Sequence, residues 1–277
     1  MNPDEYCRQK AVPGGSSLHY SSLFLAPEKR AAVTALFAFC KEVADVVDEC
    51  SDAQVARAKL AWWRLEVGKL FDGKPDHPVT NALRPFTDKF QIRAEHLNQI
   101  IDGMEMDLAQ TRYLDFTGLK HYCGQVAGAA AAAATEILGY RNALCLDYAG
   151  HLGIAVQLTK IIRDVGADAR RNRIYLPMDE LKRFEVPAAD ILQLKYSDNF
   201  SKLMAFQARR AGALYDTAMR SLPQEDRHAQ RAGLIMAAIH RATLAEIERE
   251  GFRVLTHRTS LTPLRKFWLA WKTWVSN

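Results

Sequence analysis

The chain has 277 residues, enough for a large core in one or two domains. Its 48% hydrophobic and 25% charged residues fit a soluble globular protein, and no apolar run reaches the length of a membrane span. The net charge of +5 favours anionic partners such as phosphates, acidic lipid or nucleic acid, without choosing among them.

No basic-then-apolar leader with a small-residue cleavage site opens the sequence, so a cytoplasmic protein is expected. Cys7, Cys40, Cys50, Cys123 and Cys145 form no CxxC pair and match no zinc spacing. Free thiols in a reducing compartment are the expectation.

Residues 1–27 read as irregular at first, around Pro13, Gly14 and Gly15. Pro27 and Glu28 open a helix whose apolar side carries Leu36, Phe39, Cys40, Val43 and Val47. Ser51 and Asp52 offer a cap for the next helix, which holds Trp62 and Trp63 and ends near Gly73. The segment DGKPDHP is a loop. Residues 81–90, 95–110 and 114–138 read as further helices; the last contains an alanine run and closes at Gly139. Residues 144–168 form a central helix, and a shorter piece after Leu176-Pro177 breaks at Val186-Pro187. Residues 199–222 and 224–250 are long and amphipathic. Without alternating strand patterns, fixed-period repeats or linker-like stretches, residues 1–277 are expected to form one all-α domain.

Two carboxylate groups stand out. Asp164 and Asp168 lie one turn apart, on the same side of the central helix, and Arg163, Arg170, Arg171 and Arg173 crowd around them. Far upstream, Asp45, Asp48 and Glu49 share one face among Val43, Val46 and Val47. Either group alone reads as a solvated helix end with salt bridges. Together, on two helices of an all-α chain, they point to magnesium ions and a diphosphate held between facing helices. Magnesium takes one or two carboxylates plus substrate phosphates, and arginine matches phosphate with a two-pronged fork.

The segments LFAFCKEVADVVDE (36–49), IDGMEMDL (101–108), RYLDF (112–116), YCGQVAG (122–128) and QLTKIIRDVGADARRNRIYLP (157–177) carry a family resemblance. The chain resembles the squalene/phytoene synthases, the head-to-head prenyl transferases, over nearly its whole length. Within them it looks most like the presqualene diphosphate synthases of bacterial hopanoid pathways. The resemblance implies a terpenoid-synthase helical bundle with a central cavity. It implies two farnesyl diphosphates as substrates and Mg²⁺, or Mn²⁺, as the cofactor. NADPH enters only if the reaction proceeds to squalene. Phytoene synthase-type use of geranylgeranyl diphosphate is a further possibility of the same family.

Carried over by position, Asp48 matches the second aspartate of the first metal motif, and Asp164 and Asp168 match the second motif. Asp45 and Glu49 stand close enough to the first motif to serve as substitutes. Lys41, Arg163, Arg173 and Tyr175 match positions near the diphosphates, and Tyr122 matches a tyrosine near diphosphate and proton transfer. Gly128, Gly153 and Gln157 match the kinked helices that line the cavity. Arg258 sits in a family-like C-terminal segment where a diphosphate contact is expected.

The sequence departs from the family pattern at several of these places. Ala44 stands where an aspartate usually opens the first motif, Lys160 where asparagine is usual, and Ala167 where glutamate is usual. Lys41 replaces a common arginine, so a forked contact becomes a point charge. Lys160 is expected either to pair with Asp164 or to bind diphosphate. Two readings follow: an active prenyl transferase, or a prenyl-diphosphate-binding protein that partners an active enzyme of the pathway.

Trp268, Trp271 and Trp274 near Arg265, Lys266 and Lys272 suit either a membrane interface on its inner face or a cap on the bundle. His121, His151 and His240 have no partner at metal-ligand spacing and read as core or surface residues. The segment from Met104 to Asp107 reads as packing plus a helix-face charge. No nucleic-acid module accompanies the arginines at 170–173, so no nucleic-acid partner is expected.

Overall fold

Prolines and short polar side chains set the helix boundaries. A computed structural model describes residues 2–12, 14–50 and 52–277; Pro13 and Ser51, read above as part of a break and of a cap, lie outside them. The N-terminal segment is not irregular as expected. It holds α1 (Pro3–Ala11) and α2 (Ser17–Ser22). Asn2 caps α1 by accepting from the Asp4 N–H, and Ser16 caps α2 by accepting from the His19 N–H. Apolar periodicity missed α1 because only Cys7 in it is buried.

The long helices follow the expected pattern. They are α3 (Pro27–Glu49), α4 (Ala53–Phe71, capped by Asp52), α5 (Pro78–Thr87, capped by His77) and α6 (Ala94–Ala109). The segment expected as one helix over 114–138 is α7 (Phe116–Cys123), a π-helical turn (Gly124–Gly128) and α8 (Ala129–Leu138). Gly139, at φ +81, ends α8 where a side chain would be strained. The central helix is α9 (Leu144–Arg170). Then come α10 (Met178–Arg183), α11 (Ala188–Leu192) and α12 (Asp198–Ser221). The helix expected from residue 224 starts later, as α13 (Arg231–Arg249) after a 3₁₀ turn. Asp226 in that turn accepts from the Arg141 and Asn142 N–H groups, which holds it outside a regular helix. The chain ends in α14 (Pro263–Ser276). Among the described residues there is no strand, only an isolated bridge between Arg112 and Ile174.

Helix α9 is surrounded by α8, α12, α13 and the π turn. Helix α3 packs on α1, α5, α6 and α8 instead. Both helices carry a stripe that stays open while its neighbours are buried. On α3 it runs Phe37, Cys40, Ala44, Asp48; on α9 it runs Gln157, Lys160, Asp164, Asp168. Steps of three and four residues keep each stripe on one helix face.

The π turn and α9 touch backbone to backbone. A Cβ placed on Gly153 would sit 2.3 Å from the Ala127 carbonyl oxygen and 2.7 Å from the Gly128 Cα. At Gly150, one turn earlier on α9, a Cβ meets nothing within 4 Å. Gly153→Ala is therefore expected to destabilise the protein by about 2 kcal/mol or more. Gly150→Ala is expected to be neutral or slightly stabilising, because alanine is the better helix former. Thermal unfolding of the two variants checks this; equal midpoints would show that the helices do not need the close approach.

Candidate active site

The C-terminal end of α9 and the strand-like segment after it are fixed by backbone hydrogen bonds. The Ile174 N–H donates to the Thr111 carbonyl, and the Met178 and Asp179 N–H groups donate to Tyr113 and Leu114. This tie brings residues 173–175 against the end of α6 and the start of α7. Tyr113, Tyr122 and Tyr175 stack there, with ring centroids 5.4 to 5.9 Å apart.

Asp107 lies at the centre of this group. The hydroxyls of Tyr122 and Tyr175 each donate to its Oδ2 at 2.9 Å, and an Arg173 guanidinium nitrogen lies 3.7 Å from the same atom. Its Oδ1 is buried without a partner. Burial pushes the Asp107 carboxyl up to about 6, against the pull of Arg173 and the two tyrosines. Burial also keeps the phenols of Tyr122 and Tyr175 protonated, well above the usual tyrosine range. Tyr122, expected near diphosphate and proton transfer, is a protonated phenol that donates to Asp107. Asp107 was read from sequence as a helix-face charge. The signal that finds it is its register: Leu97, Ile100, Ile101 and Met104 are buried on the face Asp107 shares.

The carboxylates from the two expected clusters divide into three settings. Asp48 accepts from an Arg171 guanidinium nitrogen at 2.9 Å, with Arg173 at 3.8 Å. Arg173 therefore spans Asp48 on α3 and Asp107 on α6. Asp164 receives two hydrogen bonds from Arg163, at 2.9 and 2.6 Å, and one from Arg258 at 2.7 Å. Burial alone would raise its pKa, but the two arginines hold it below the usual carboxylate range. Asp168 has no arginine or lysine within ion-pair distance among the described residues. Burial, then the charges of Asp164 and Asp107, push it up to about 7.

Asp45, Glu49 and Lys41 stand apart from these groups. The Asp45 carboxylate is buried against α1, where Lys10 reaches it at 2.8 Å and Lys41 pairs with it from one turn away. Lys41 is thereby directed to Asp45, and Glu49 is the exposed last residue of α3. The one-residue offset from Ala44 is what turns Asp45 out of the open stripe, since each residue rotates the helix face by roughly 100°.

Lys160 keeps open surface, yet burial is the first cause that lowers its ammonium pKa, followed by Arg163. Its charge is felt by Cys40 on α3, Cys123 on α7 and His240 on α13. Lys160 thus stands on the open stripe of α9 with groups of α3, α7 and α13 near its charge. Lys160 does not pair with Asp164, whose oxygens are taken by Arg163 and Arg258. His240 is buried with its Nδ1 unpartnered, and burial plus Lys160, Arg163 and Lys266 push it down to about 3, so it is neutral at pH 7. Gln157 is half-buried three residues before Lys160 on the same stripe. Asp168, Arg173 and Tyr175 border a small gap too tight for water, closed by Ile161, Val165 and Leu176. A larger pocket of about 350 Å³ lies elsewhere, by Lys120, His121 and Gln125, and includes none of the expected site residues.

The donor set can be tested against a divalent ion. Among the described residues no three His, Cys, Asp or Glu side chains converge as a ready metal cage. What exists is the unpaired Asp168 beside Asp164 and Asp107, raised first by burial and then by those two charges. Such a site fits an ion whose remaining ligands are phosphate oxygens and water, the habit of Mg²⁺. Asp168 and Asp107 have folded pKa values above the ordinary 3.8. Their contribution to stability is thus present below about pH 4 and is lost as pH rises to about 7 in the metal-free protein. Asp168→Asn is expected to raise the melting temperature near pH 8 and to flatten this slope. In the unsubstituted protein Mg²⁺ is expected to raise the melting temperature more near pH 8 than near pH 5.5. Thermal shift with and without Mg²⁺ at both pH values checks the pair, and a magnesium response independent of pH counts against these carboxylates as ligands.

Comparison with known proteins agrees with this geometry. Residues 12–265 match the squalene/phytoene synthase family. The chain is 30% identical to the 15-cis-phytoene synthase of Synechococcus elongatus over 274 residues, covering 95% of this chain and 89% of that protein. It is 29% identical to phytoene synthase 1 of Arabidopsis thaliana, covering 94% of this chain and 63% of that longer protein. Its fold superposes on a dehydrosqualene synthase crystal structure with a TM-score of 0.88 at 24% identity, covering 99% of this chain and 96% of that one. A squalene synthase structure from Alicyclobacillus acidocaldarius gives a TM-score of 0.80 at 24% identity, covering 90% and 94%. The chain therefore has the all-α isoprenoid synthase fold and belongs to the squalene/phytoene synthase family, whose members join prenyl groups head to head.

Proposed function

We propose that the protein condenses two farnesyl diphosphates, head to head, to presqualene diphosphate. The observation that supports this reading is the grouping of Asp48 and Asp107 around Arg171 and Arg173, beside Asp168, at the C-terminal end of α9. Arg163 and Arg258 stand one turn further in, around Asp164. Negative side chains next to several forked cations suit a diphosphate that departs with its electron pair.

In the reaction the C1–O bond of one farnesyl diphosphate breaks and the diphosphate leaves with the bonding electrons. The C2–C3 π electrons of the second molecule then bond to that C1. Loss of a C1 proton closes the cyclopropane. Bound Mg²⁺ would neutralise the growing charge on the leaving group, with Asp48, Asp164 and Asp168 as its protein ligands. Arg163, Arg171, Arg173 and Arg258 are the side chains free to exchange their carboxylate partners for phosphate oxygens. Lys160, one turn before Asp164 on the same stripe, would offer a further amine contact to the same diphosphate. The tyrosine stack and Asp107 keep the neighbouring Arg173 in place. Buried apolar side chains beside Asp168 and Arg173, Val165 and Ile161 among them, would keep water from the allylic cation.

Ala44 and Lys160 favour a second reading, a protein that binds prenyl diphosphate without turning it over. Asp48 has no carboxylate one turn before it on the open stripe of α3, and the Lys160 ammonium lies near Cys40 of that stripe. Incubation with Mg²⁺ and either farnesyl or geranylgeranyl diphosphate separates the readings. Diphosphate release with a cyclopropyl product from the farnesyl substrate is the expected result. Release from the geranylgeranyl substrate alone would assign a phytoene synthase-type activity. Tight binding without release would assign the binding protein. Under the enzyme reading, Lys160→Asn is expected to weaken diphosphate binding on the order of tenfold, the weight of one charge-assisted contact. An unchanged affinity by titration calorimetry would remove Lys160 from the substrate site.

A further inference from the structure

Helix α14 begins at Pro263, with Thr262 accepting from the Arg265 N–H as its cap. One side of it is built into the bundle. Ala270 is buried with Tyr20, Ile235, Ile239 and Leu261. Trp274 stacks on Phe24 at 5.2 Å, and the Arg231 guanidinium lies 4.7 Å from the Trp274 ring. Lys266 donates to the Gly15 carbonyl at 2.8 Å. Of the tryptophans read from sequence as either a cap or a membrane contact, Trp274 is thus the cap.

The other side is open. Leu264 is 78% exposed, Phe267 46%, Trp268 51%, Trp271 51% and Val275 64%. Steps of three and four residues put all five on one stripe. Arg265, paired with Glu246 of α13 at 2.7 Å, and Lys272, unpaired among the described residues, border it, with the Lys272 ammonium 5.0 Å from the Trp268 ring. The sequence of α14 contains no aspartate or glutamate. Scattered exposed apolar residues are ordinary, but a continuous stripe with two tryptophans on a packed helix is not.

We infer that α14 is a docking helix for a bilayer surface bearing anionic headgroups, with Leu264, Phe267, Trp268, Trp271 and Val275 entering the headgroup–acyl boundary. Charge selects this occupant. Amphipathic helices that lie in the interface combine an apolar face, tryptophan at headgroup depth and flanking Lys or Arg. A second copy of the same face would bring Arg265 and Lys272 against their own counterparts, and like charges oppose that pairing.

The orientation that follows bears on the candidate site. Arg258, four residues before the Thr262 cap of α14, donates to Asp164 at 2.7 Å, which places the start of the helix beside the arginines of the candidate site. A protein lying on α14 holds that site near the lipid surface, where a long isoprenoid chain resides. This last step rests on the proposed prenyl-diphosphate chemistry; the docking itself does not.

The test is flotation of the full chain with two vesicle types, equal parts phosphatidylglycerol and phosphatidylcholine, and phosphatidylcholine alone. The expected result is flotation with the anionic vesicles, weaker in high salt. Lys272→Ala is expected to weaken it about fivefold, the weight of one basic residue near an anionic surface. Trp268→Ser with Trp271→Ser is expected to weaken it by about tenfold or more. Quenching of the native tryptophans by lipid with brominated tails reads the same insertion with no substitution. Absence of both flotation and quenching overturns the proposal. So does a concentration-dependent dimer in vesicle-free solution that the double substitution dissociates, since a second copy would then be the occupant. Because lipid binding is read without turnover, an inactive protein that floats would refute the reaction and leave the docking helix standing.

Discussion

Asp164 and Asp168, one helical turn apart in a partly buried end of the bundle, cannot both ionise without nearby positive charge. That constraint orders everything around them. Asp164 meets it with Arg163 from its own helix and Arg258 from the segment before α14. Asp168 is left unmatched and rises to about 7. Asp48 and Asp107, from two other helices, meet it through Arg171 and Arg173. The arrangement is an interior with carboxylates and guanidiniums in near balance and one ligand position still wanting a cation, which is a poor design for stability alone. It suits a site that takes up metal and phosphate together.

Much of the fold was legible because its long helices have amphipathic faces of ordinary period and ordinary caps. α3, α4 and α12 follow from apolar spacing opened by Pro27, Asp52 and Ser197, and α6 and α9 from apolar spacing alone. The first two helices were hidden because caps, not apolar faces, define them. The split of residues 114–138 was hidden for another reason. A π turn arises from contact with a neighbour, here the close pass of Gly153, and nothing local in GQVAG requires it. The late start of α13 likewise depends on Asp226 reaching residues 85 and 84 positions earlier.

The candidate site was legible in part. Spacing on α9 identified Asp164 and Asp168 as neighbours on one face. On α3 the same reasoning could not tell Asp45 from Asp48, three residues apart, and only α1 decides between them by offering Lys10. Asp107 was discounted because Met104, Glu105 and Met106 resemble packing with a surface charge. Its place on the buried face, and two tyrosine hydroxyls from distant segments, give it another character. Lys160 could have paired with Asp164 or faced the substrate. Arg163 and Arg258, the latter 94 residues away in sequence, occupy that carboxylate and leave Lys160 unpaired with it.

Gly166 carries an additional consequence. Its N–H donates to the Val254 carbonyl at 3.1 Å, and a Cβ there would lie 2.0 Å from the Leu255 oxygen. Three residues beyond Leu255 the same strand of chain delivers Arg258 to Asp164. The missing side chain at one position therefore works as a ruler: it fixes how far a remote guanidinium reaches. Any methyl group added at that spot would be read out as altered charge at the entrance, although it touches no ionisable atom.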